Sequence, residues 1–434
     1  VNKLRRSLAV TVLASVIGGL VPPVAQATPR VANLASTSKS AWSIEPAAPK
    51  FPTGSFSGTS CVTADWCIAV GSRVSAAGAA LTLTELWNGK TWAIEEAPAP
   101  PGSTFTGISC ASSTFCVAIG DREGTSGVSG FAGTWDGHAW APSRTRNPTT
   151  ETQLAGISCS SRTFCMAVGY YYSANQDQHA LTEVWNGKTW AVHQANNPAG
   201  SNYGLSAVSC SSASACAAVG SINQSLPLAE FWNGTSWVMM AIPNPSGWGG
   251  STLSGISCRS ASSCVAVGEG YFKGRELTLA ESWDGSRWAI TTTLDPGRSS
   301  NSLSSVSCTS PTACVAVGDY MVNQETMALG ESWNGRTWSV ADVPSAPGDN
   351  DSVLSGVSCV SSTTSTPSSC TAVGSDVDAS GIGLPLVESW GGKSWSVGTP
   401  VDPAGIEPGQ LQSVSCGSVS SCVGVGYYRV SDGS

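Results

Sequence analysis

"LSGISCRSASSCVAVGEGYFKGRELTLAESWDGSRWAI" occupies residues 253 to 290 and contains every element of the repeat from which the chain is built. Two β-prone runs, "LSGIS" and "CVAVG", flank a cysteine pair with five residues between its members. Two more, "LTLAESW" and "WAITTT", flank an Asp-Gly and meet it through tryptophans. Asn-Gly or Asp-Gly between strand-like runs is the strongest short-range hairpin signal, because both residues tolerate the positive φ of a tight turn. The stretch therefore reads as four short antiparallel strands, a to d. Its spacing leaves open whether the c-d loop has two residues or four with the tryptophans opposed.

The remainder of the chain repeats this stretch. Cysteine pairs stand at 61/67, 110/116, 159/165, 210/216, 258/264, 308/314, 359/370 and 416/422, with first members 48 to 57 residues apart. Between them stand seven tryptophan pairs, such as Trp87/Trp92, Trp135/Trp140 and Trp185/Trp190, usually written W-(N/D)-G-x-x-W. Four strands in about 50 residues is the signature of a β-propeller blade. Tandem sandwich domains need roughly 100 residues each, and a β-helix coil about half the observed period. In "CVAVG" the valines face one way and Cys, Ala and Gly the other, so the strand is apolar on both faces and buried on both. That is what stacked blades require.

The architecture expected is all-β: a single eight-bladed β-propeller of four-stranded antiparallel blades, the last closed by N-terminal and C-terminal segments. Its blades are expected at about 52–98, 103–147, 152–197, 203–243, 251–295, 301–345 and 352–400, with 410–434 completed by 31–46. "LQSVSCGSVSSCVGVGYYRVSDGS" (411–434) supplies strands a and b of the last unit. "AWSIEPAAP" (41–49) aligns through Trp42 as its strand d, and "VANLASTSKS" (31–40) as a degraded strand c. The alternative is seven complete blades plus a partial one.

Residues 1–27 read as a secretory signal peptide: Lys3, Arg5 and Arg6, an apolar run, then "AQA" ending at Ala27. That run, about 15 residues, is shorter than the roughly 20 that span a bilayer. The expected mature domain, 28–434, is secreted, extracellular and monomeric, with 18 basic and 29 acidic side chains and a formal net of −11. Such a balance disfavours nucleic acid and anionic membranes as partners, and no other stretch is read as spanning a membrane, so no nucleic acid and no membrane insertion are expected.

In an exported chain the cysteines oxidise. The expected bridges are Cys61–Cys67, Cys110–Cys116, Cys159–Cys165, Cys210–Cys216, Cys258–Cys264, Cys308–Cys314, Cys359–Cys370 and Cys416–Cys422. Between Cys359 and Cys370 the spacing lengthens while "SGVSC" and "CTAVG" stay unchanged, as expected of two joined feet. Zinc would want closer cysteines and more histidines than His138, His179 and His193. No cofactor or metal site is expected; calcium has only the acidic stretches "DND" (349–351) and "DVD" (376–378) to bind, and these read as solvated turns.

Glu two residues before an aromatic, a tight turn, then Trp opening the last strand resembles the kelch repeat of galactose-oxidase-like propellers. It occurs at Glu85/Trp87, Glu183/Trp185, Glu230/Trp232, Glu281/Trp283, Glu331/Trp333 and Glu388/Trp390, with a shorter turn and with Val-Gly or Ile-Gly in place of the usual Gly-Gly. "SWDGSRW" (282–288) is similar, with one residue missing, to the Asp-box of sialidase-type propellers. The first resemblance would imply copper chemistry with tyrosines, a free cysteine and two histidines at one site, which this chain does not supply. Glutamates that recur in six of seven blades, with Gly133 in the second, read as part of each blade's own hydrogen bonding. A sialidase-like site would gather arginines, for which Arg73, Arg122, Arg144, Arg146, Arg275, Arg298 and Arg429 are available.

In such a blade the a-b and c-d turns emerge on one face of the disc, and the b-c and d-a connections on the other. The second face carries "YYYSANQDQH", "EGYFKGRE" and "DYMVNQE" (b-c) with "PNPSGWGGS" and "NNPAGSNYG" (d-a), read as irregular loops of the kind that bind. The candidate binding residues there are Tyr170, Tyr171, Tyr172, Tyr203, Trp248, Tyr271, Phe272, Tyr320, Tyr427 and Tyr428, amphipathic rings able to stack on sugars or anchor a protein. No residue stands out as catalytic. The function expected is a secreted, non-catalytic module recognising a glycan or an extracellular protein. The alternatives are a polysaccharide-active enzyme of sialidase or lyase type and a structural cell-surface protein.

Overall fold

A computed structural model of the chain describes residues 27–33, 43–46, 54–193, 195, 197–198, 202–344, 351–361, 369–378, 381, 383–398 and 406–430. The opening stretch forms a four-stranded antiparallel sheet: a (Gly250–Ser260), b (Ser263–Phe272), c (Arg275–Trp283) and d (Trp288–Ile290). Strand a bulges between Leu253 and Gly255, opposite Gly268 and Val267. This bulge explains the glycine that ends every "CVAVG". A Cβ on Gly268 would lie 2.0 Å from the Thr252 carbonyl oxygen, and the same clash, at 1.9 to 2.1 Å, awaits at Gly71, Gly120, Gly169, Gly220, Gly318, Gly374 and Gly426.

Strand b is buried on both sides, and the blades stack through it. Val265 and Val267 pack with Leu303, Cys314 and Ala316 of the following blade, while Cys264 and Ala266 pack with Ala217 and Val219 of the preceding one. Large side chains thus meet small ones at each interface, which is how a dry layer reaches the density of a protein interior.

The c-d loop has four residues, and the tryptophans pair directly, Trp283 with Trp288, ring centroids 5.8 Å apart. Asp284 Oδ1 accepts from the backbone N–H of Ser286 (2.8 Å) and Arg287 (2.9 Å), and Gly285 turns the chain at φ +94°. Trp283 Nε1 donates to the Ala261 carbonyl in the a-b turn at 3.0 Å, tying the two turns of this face together. All eight a-b turns are closed by the expected disulfides, with Cα–Cα distances of 3.9 to 4.0 Å.

The ring corrects the expected blade count. Seven blades are four-stranded and built from consecutive strands: Gly54–Ile94, Ser103–Ser143, Thr152–Val192, Tyr203–Met239, Gly250–Ile290, Asn301–Val340 and Asp351–Gly398, blades 1 to 7 below. The C-terminal repeat contributes only a two-strand partial sheet, Ile406–Ser418 with Ser421–Val430. It lacks the Trp-turn-Trp phrase that makes a c-d hairpin elsewhere, so the alternative of seven blades and a partial unit describes the chain. Backbone strands from the far end of the sequence run beside it: Ala27–Asn33 antiparallel to Ser421–Val430, and Ser43–Pro46 along Ala27–Asn33. Trp42, expected to align with the strand-d tryptophans, lies outside the described residues.

One hydrogen bond, repeated, carries the ring around. The serine before each first cysteine accepts from the N–H of the first cysteine in the next unit, as Ser209 Oγ does from Cys258 (2.9 Å) and Ser257 Oγ from Cys308 (3.1 Å). The partial sheet takes its place in the series, Cys416 N–H donating to Ser358 Oγ (3.1 Å) and Cys61 N–H to Ser415 Oγ (2.9 Å). The bulge yields a test: Gly268→Ala should cost on the order of 3 kcal/mol, read as a lowered melting temperature. Gly274→Ala, whose Cβ meets nothing within 4 Å, should cost less despite φ +80°.

Candidate functional site

The b-c/d-a face is less irregular than its sequence. Two of its b-c connections are two-residue turns with positive φ at both positions: Lys273-Gly274 (+50°, +80°) between Phe272 and Arg275, and Asn323-Gln324 (+53°, +75°) between Val322 and Glu325. Strands b and c of these blades run unbroken to the face. The irregular backbone lies in the d-a connections.

Blade 5 gathers three of the nominated aromatics. Its preceding d-a connection turns tightly, Trp248 N–H donating to the Pro245 carbonyl (3.1 Å), and is pinned to strand b by Gly249 N–H to the Tyr271 carbonyl (2.7 Å). The Trp248 indole lies on Gly270, where a Cβ would come within 2.3 Å of the ring; only glycine admits it. Phe272 abuts Gly247, and the Lys273 ammonium sits 5.0 Å above the Phe272 ring, within cation–π range. Tyr271 is 56% exposed. Its hydroxyl bonds to Glu276, which raises its pKa. Trp248 also walls a cleft of about 130 Å³ with Pro245, Thr278, Ile290, Thr292 and Asp295.

A second group stands on blade 3. Tyr170 donates to Gln153 Oε1 and meets Tyr172 edge-on at 5.8 Å; Tyr172 donates to Gln178 Oε1 at 3.3 Å; Tyr171 stacks on His179 at 5.2 Å. All three tyrosines are half-buried. The other nominated residues are not gathered with these. Tyr203 is 5% exposed inside the core between blades 3 and 4. Tyr320 packs against the core of blades 5 and 6. Tyr427 is half-buried on the partial sheet, and the side chain of Tyr428 lies outside the described residues. Sequence reading missed Lys273, Gln153, Gln178 and His179; a Lys-Gly between two β-prone runs was the available signal for the first.

The repeated glutamates are buried between blades, and the bond that Glu183 accepts leaves its own blade. Glu183 Oε2 accepts from the Arg146 N–H in the preceding d-a connection at 2.9 Å. The Leu294 N–H, equally six residues beyond a strand-d tryptophan, acts on Glu331 in the same direction, lowering a pKa that burial raises more, although neither Glu331 oxygen makes a full hydrogen bond. Ahead of Glu281 and Glu388 that position is Pro243 and Pro344, which have no N–H, and both carboxyls lack a hydrogen-bond partner among the described residues. Burial pushes Glu281, Glu331 and Glu388 up to about 8 and Glu183 to about 7. Asp121, half-buried near the b-c end of strand b in blade 2, is raised by burial to about 6 although the Leu154 N–H opposes the shift.

Three of the arginines are tied to backbone carbonyls on different blades: Arg73 to Thr82, Arg146 to Trp190 and Arg275 to Gly297. Among the described residues no group of three or more His, Cys, Asp or Glu stands close enough to hold a metal ion.

No family model and no curated protein matches the sequence. Solved structures do. Sqt1 from Chaetomium thermophilum is 11% identical at a TM-score of 0.54, over 87% of this chain and 97% of that one. The same protein bound to the N-terminus of ribosomal protein L10 gives a TM-score of 0.52 at 11% identity, over 87% and 97%. A polysaccharide lyase of family PL25, an ulvan lyase, is 9% identical at 0.48, over 87% and 98%. The likeness is one of fold: the chain is a β-propeller.

The buried acids set a pH dependence. A carboxyl whose folded pKa lies above its ordinary value near 4.5 stabilises fully below that value and loses its contribution as pH rises through the folded pKa. Thermal stability should therefore fall between pH 5 and about 8, by at most about 1.4 kcal/mol per pH unit for each such group. Glu281→Gln, always neutral, should flatten that slope; a slope unchanged in the variant would show Glu281 already ionised at pH 5.

Proposed function

We propose that the chain is a secreted recognition module, without catalysis of its own, that binds a glycan through the d-a and b-c face of blade 5. The observation that carries this is the Trp248, Tyr271 and Phe272 group. An indole fixed on a glycine, an exposed phenol and a phenyl under a cation offer flat apolar faces with polar rims, and sugar rings present the complementary C–H faces and hydroxyls. Export is supported by eight disulfides, which persist in oxidising compartments, and no helix among the described residues is long and apolar enough to cross a membrane.

A protein partner is the second reading. The aromatic groups of blades 3 and 5 stand one blade apart, a span suited to a protein surface with two anchors. Sqt1, a propeller of similar fold, is seen with a peptide segment bound.

A glycan array probed with the full chain tests the first reading. Trp248→Ala and Tyr271→Ala should each weaken the strongest signal about tenfold; the melting temperature should stay close to the parent's for Tyr271→Ala and fall for Trp248→Ala, whose indole packs against the core of blades 4 and 5. Signals that survive both substitutions, or no sugar bound at all, would remove blade 5 as a glycan site.

A further inference from the structure

The opposite face of the ring carries the opposite charge. Among the described residues its a-b and c-d turns present seven exposed Lys or Arg side chains against three exposed Asp, in a chain whose formal net charge is −8. Four of the cations, Lys90, Lys188, Arg336 and Lys393, occupy the third position of the four-residue c-d turn, one per blade, and none makes a salt bridge among the described residues. Two of the aspartates, Asp136 and Asp284, are already engaged by backbone N–H groups of their own turns.

A cleft opens on this same face between blades 6 and 7. It holds about 230 Å³ and is walled by Trp333, Trp390, Ser332 and Ser339, with Asn334 and Gly392 at the turns that carry Arg336 and Lys393. An aromatic wall, hydroxyls and two flanking cations suit one ring of a sugar that bears an anionic group.

We propose that the turn face docks an acidic polysaccharide, seated by one sugar in the cleft between blades 6 and 7 and held by its anionic groups against Arg336 and Lys393. The cations of the c-d turns stand on different blades, so a polyanion long enough to leave the cleft meets more of them than a small anion does. Sugar is favoured over a lipid surface by what lies between the cations. The a-b turns expose hydroxyl pairs such as Ser161/Thr163, Ser260/Ser262 and Ser310/Thr312. Among the described residues, the one large exposed apolar side chain that belongs to a turn of this face is Val419, 50% exposed.

Binding of the full chain to immobilised dextran sulfate, with unsulfated dextran of equal length as reference, tests this. The chain should bind the sulfated polymer at low salt and release it as salt screens the contacts. Arg336→Thr with Lys393→Thr should weaken binding about tenfold or more, Lys90→Thr with Lys188→Thr less, and Lys273→Asn on the other face not at all. The turn itself accepts such residues, since Thr235 and Ser286 hold this position in blades 4 and 5; unchanged melting curves would confirm that the variants fold. Equal binding to both polymers, binding indifferent to the Arg336/Lys393 pair, or tighter binding to double-stranded DNA or to vesicles of anionic lipid would overturn the proposal. Trp248→Ala should leave this binding unchanged, so its outcome is separate from that of the blade 5 site.

Discussion

Strand b is buried on both faces, and the ring depends on that burial. A sheet apolar on one side needs one partner layer; a sheet apolar on both needs two, and only a closed series of sheets gives every member both. The alternation of Val with Cys, Ala and Gly makes the series regular, because the large face of one blade is shaped for the small face of the next. Glycine at the end of the strand is fixed by the bulge across from it, where any side chain would enter a carbonyl oxygen. The disulfide and the tryptophan pair then hold the turn face, so each repeat is rigid where it is repetitive and free to vary at the other end.

This division governs where function can reside. The d-a connections are released from the repeat and place Trp248 on Gly270. The turn face cannot vary its backbone, but its third turn position tolerates Lys, Arg, His, Thr or Ser, so charge can be written there without disturbing the fold. Between the faces the buried glutamates form a polar layer that is incompletely satisfied. Where a proline stands at the donating position, no backbone N–H from it opposes the burial that raises the carboxyl's pKa. Blade 2, which has Gly133 in place of the glutamate, faces Pro98 at the equivalent position.

Much of the fold was legible because its determinants are local and periodic: cysteines either side of a turn, tryptophans either side of an Asn-Gly or Asp-Gly. The blade count was not, since the last unit was completed with N-terminal segments, 31–40 and 41–49, that lack the glutamate and the Trp-turn-Trp phrase marking strands c and d elsewhere. The b-c turns were misread because Lys-Gly and Asn-Gln adopt positive φ without the usual signal. Nor did the sequence reveal that Glu183 bonds the preceding blade, because its partner is a backbone N–H with no side-chain signature. Of the ten aromatic candidates, Tyr203 and Tyr320 pack into cores that any strand-end tyrosine can reach, and composition alone does not tell such a residue from an exposed one like Tyr271. The kelch-like phrase located strands c and d and carried no information about a ligand.

The partial sheet stands between blades 7 and 1, and the bond that joins it to blade 1 is Cys61 N–H to Ser415 Oγ. Amide hydrogen exchange resolved to single residues reads that bond directly. The Cys61 amide should be protected as strongly as that of Cys258, whose equivalent bond lies within the uninterrupted series of blades. A Cys61 amide that exchanges orders of magnitude faster than Cys258 would mean that the ring is open at this junction.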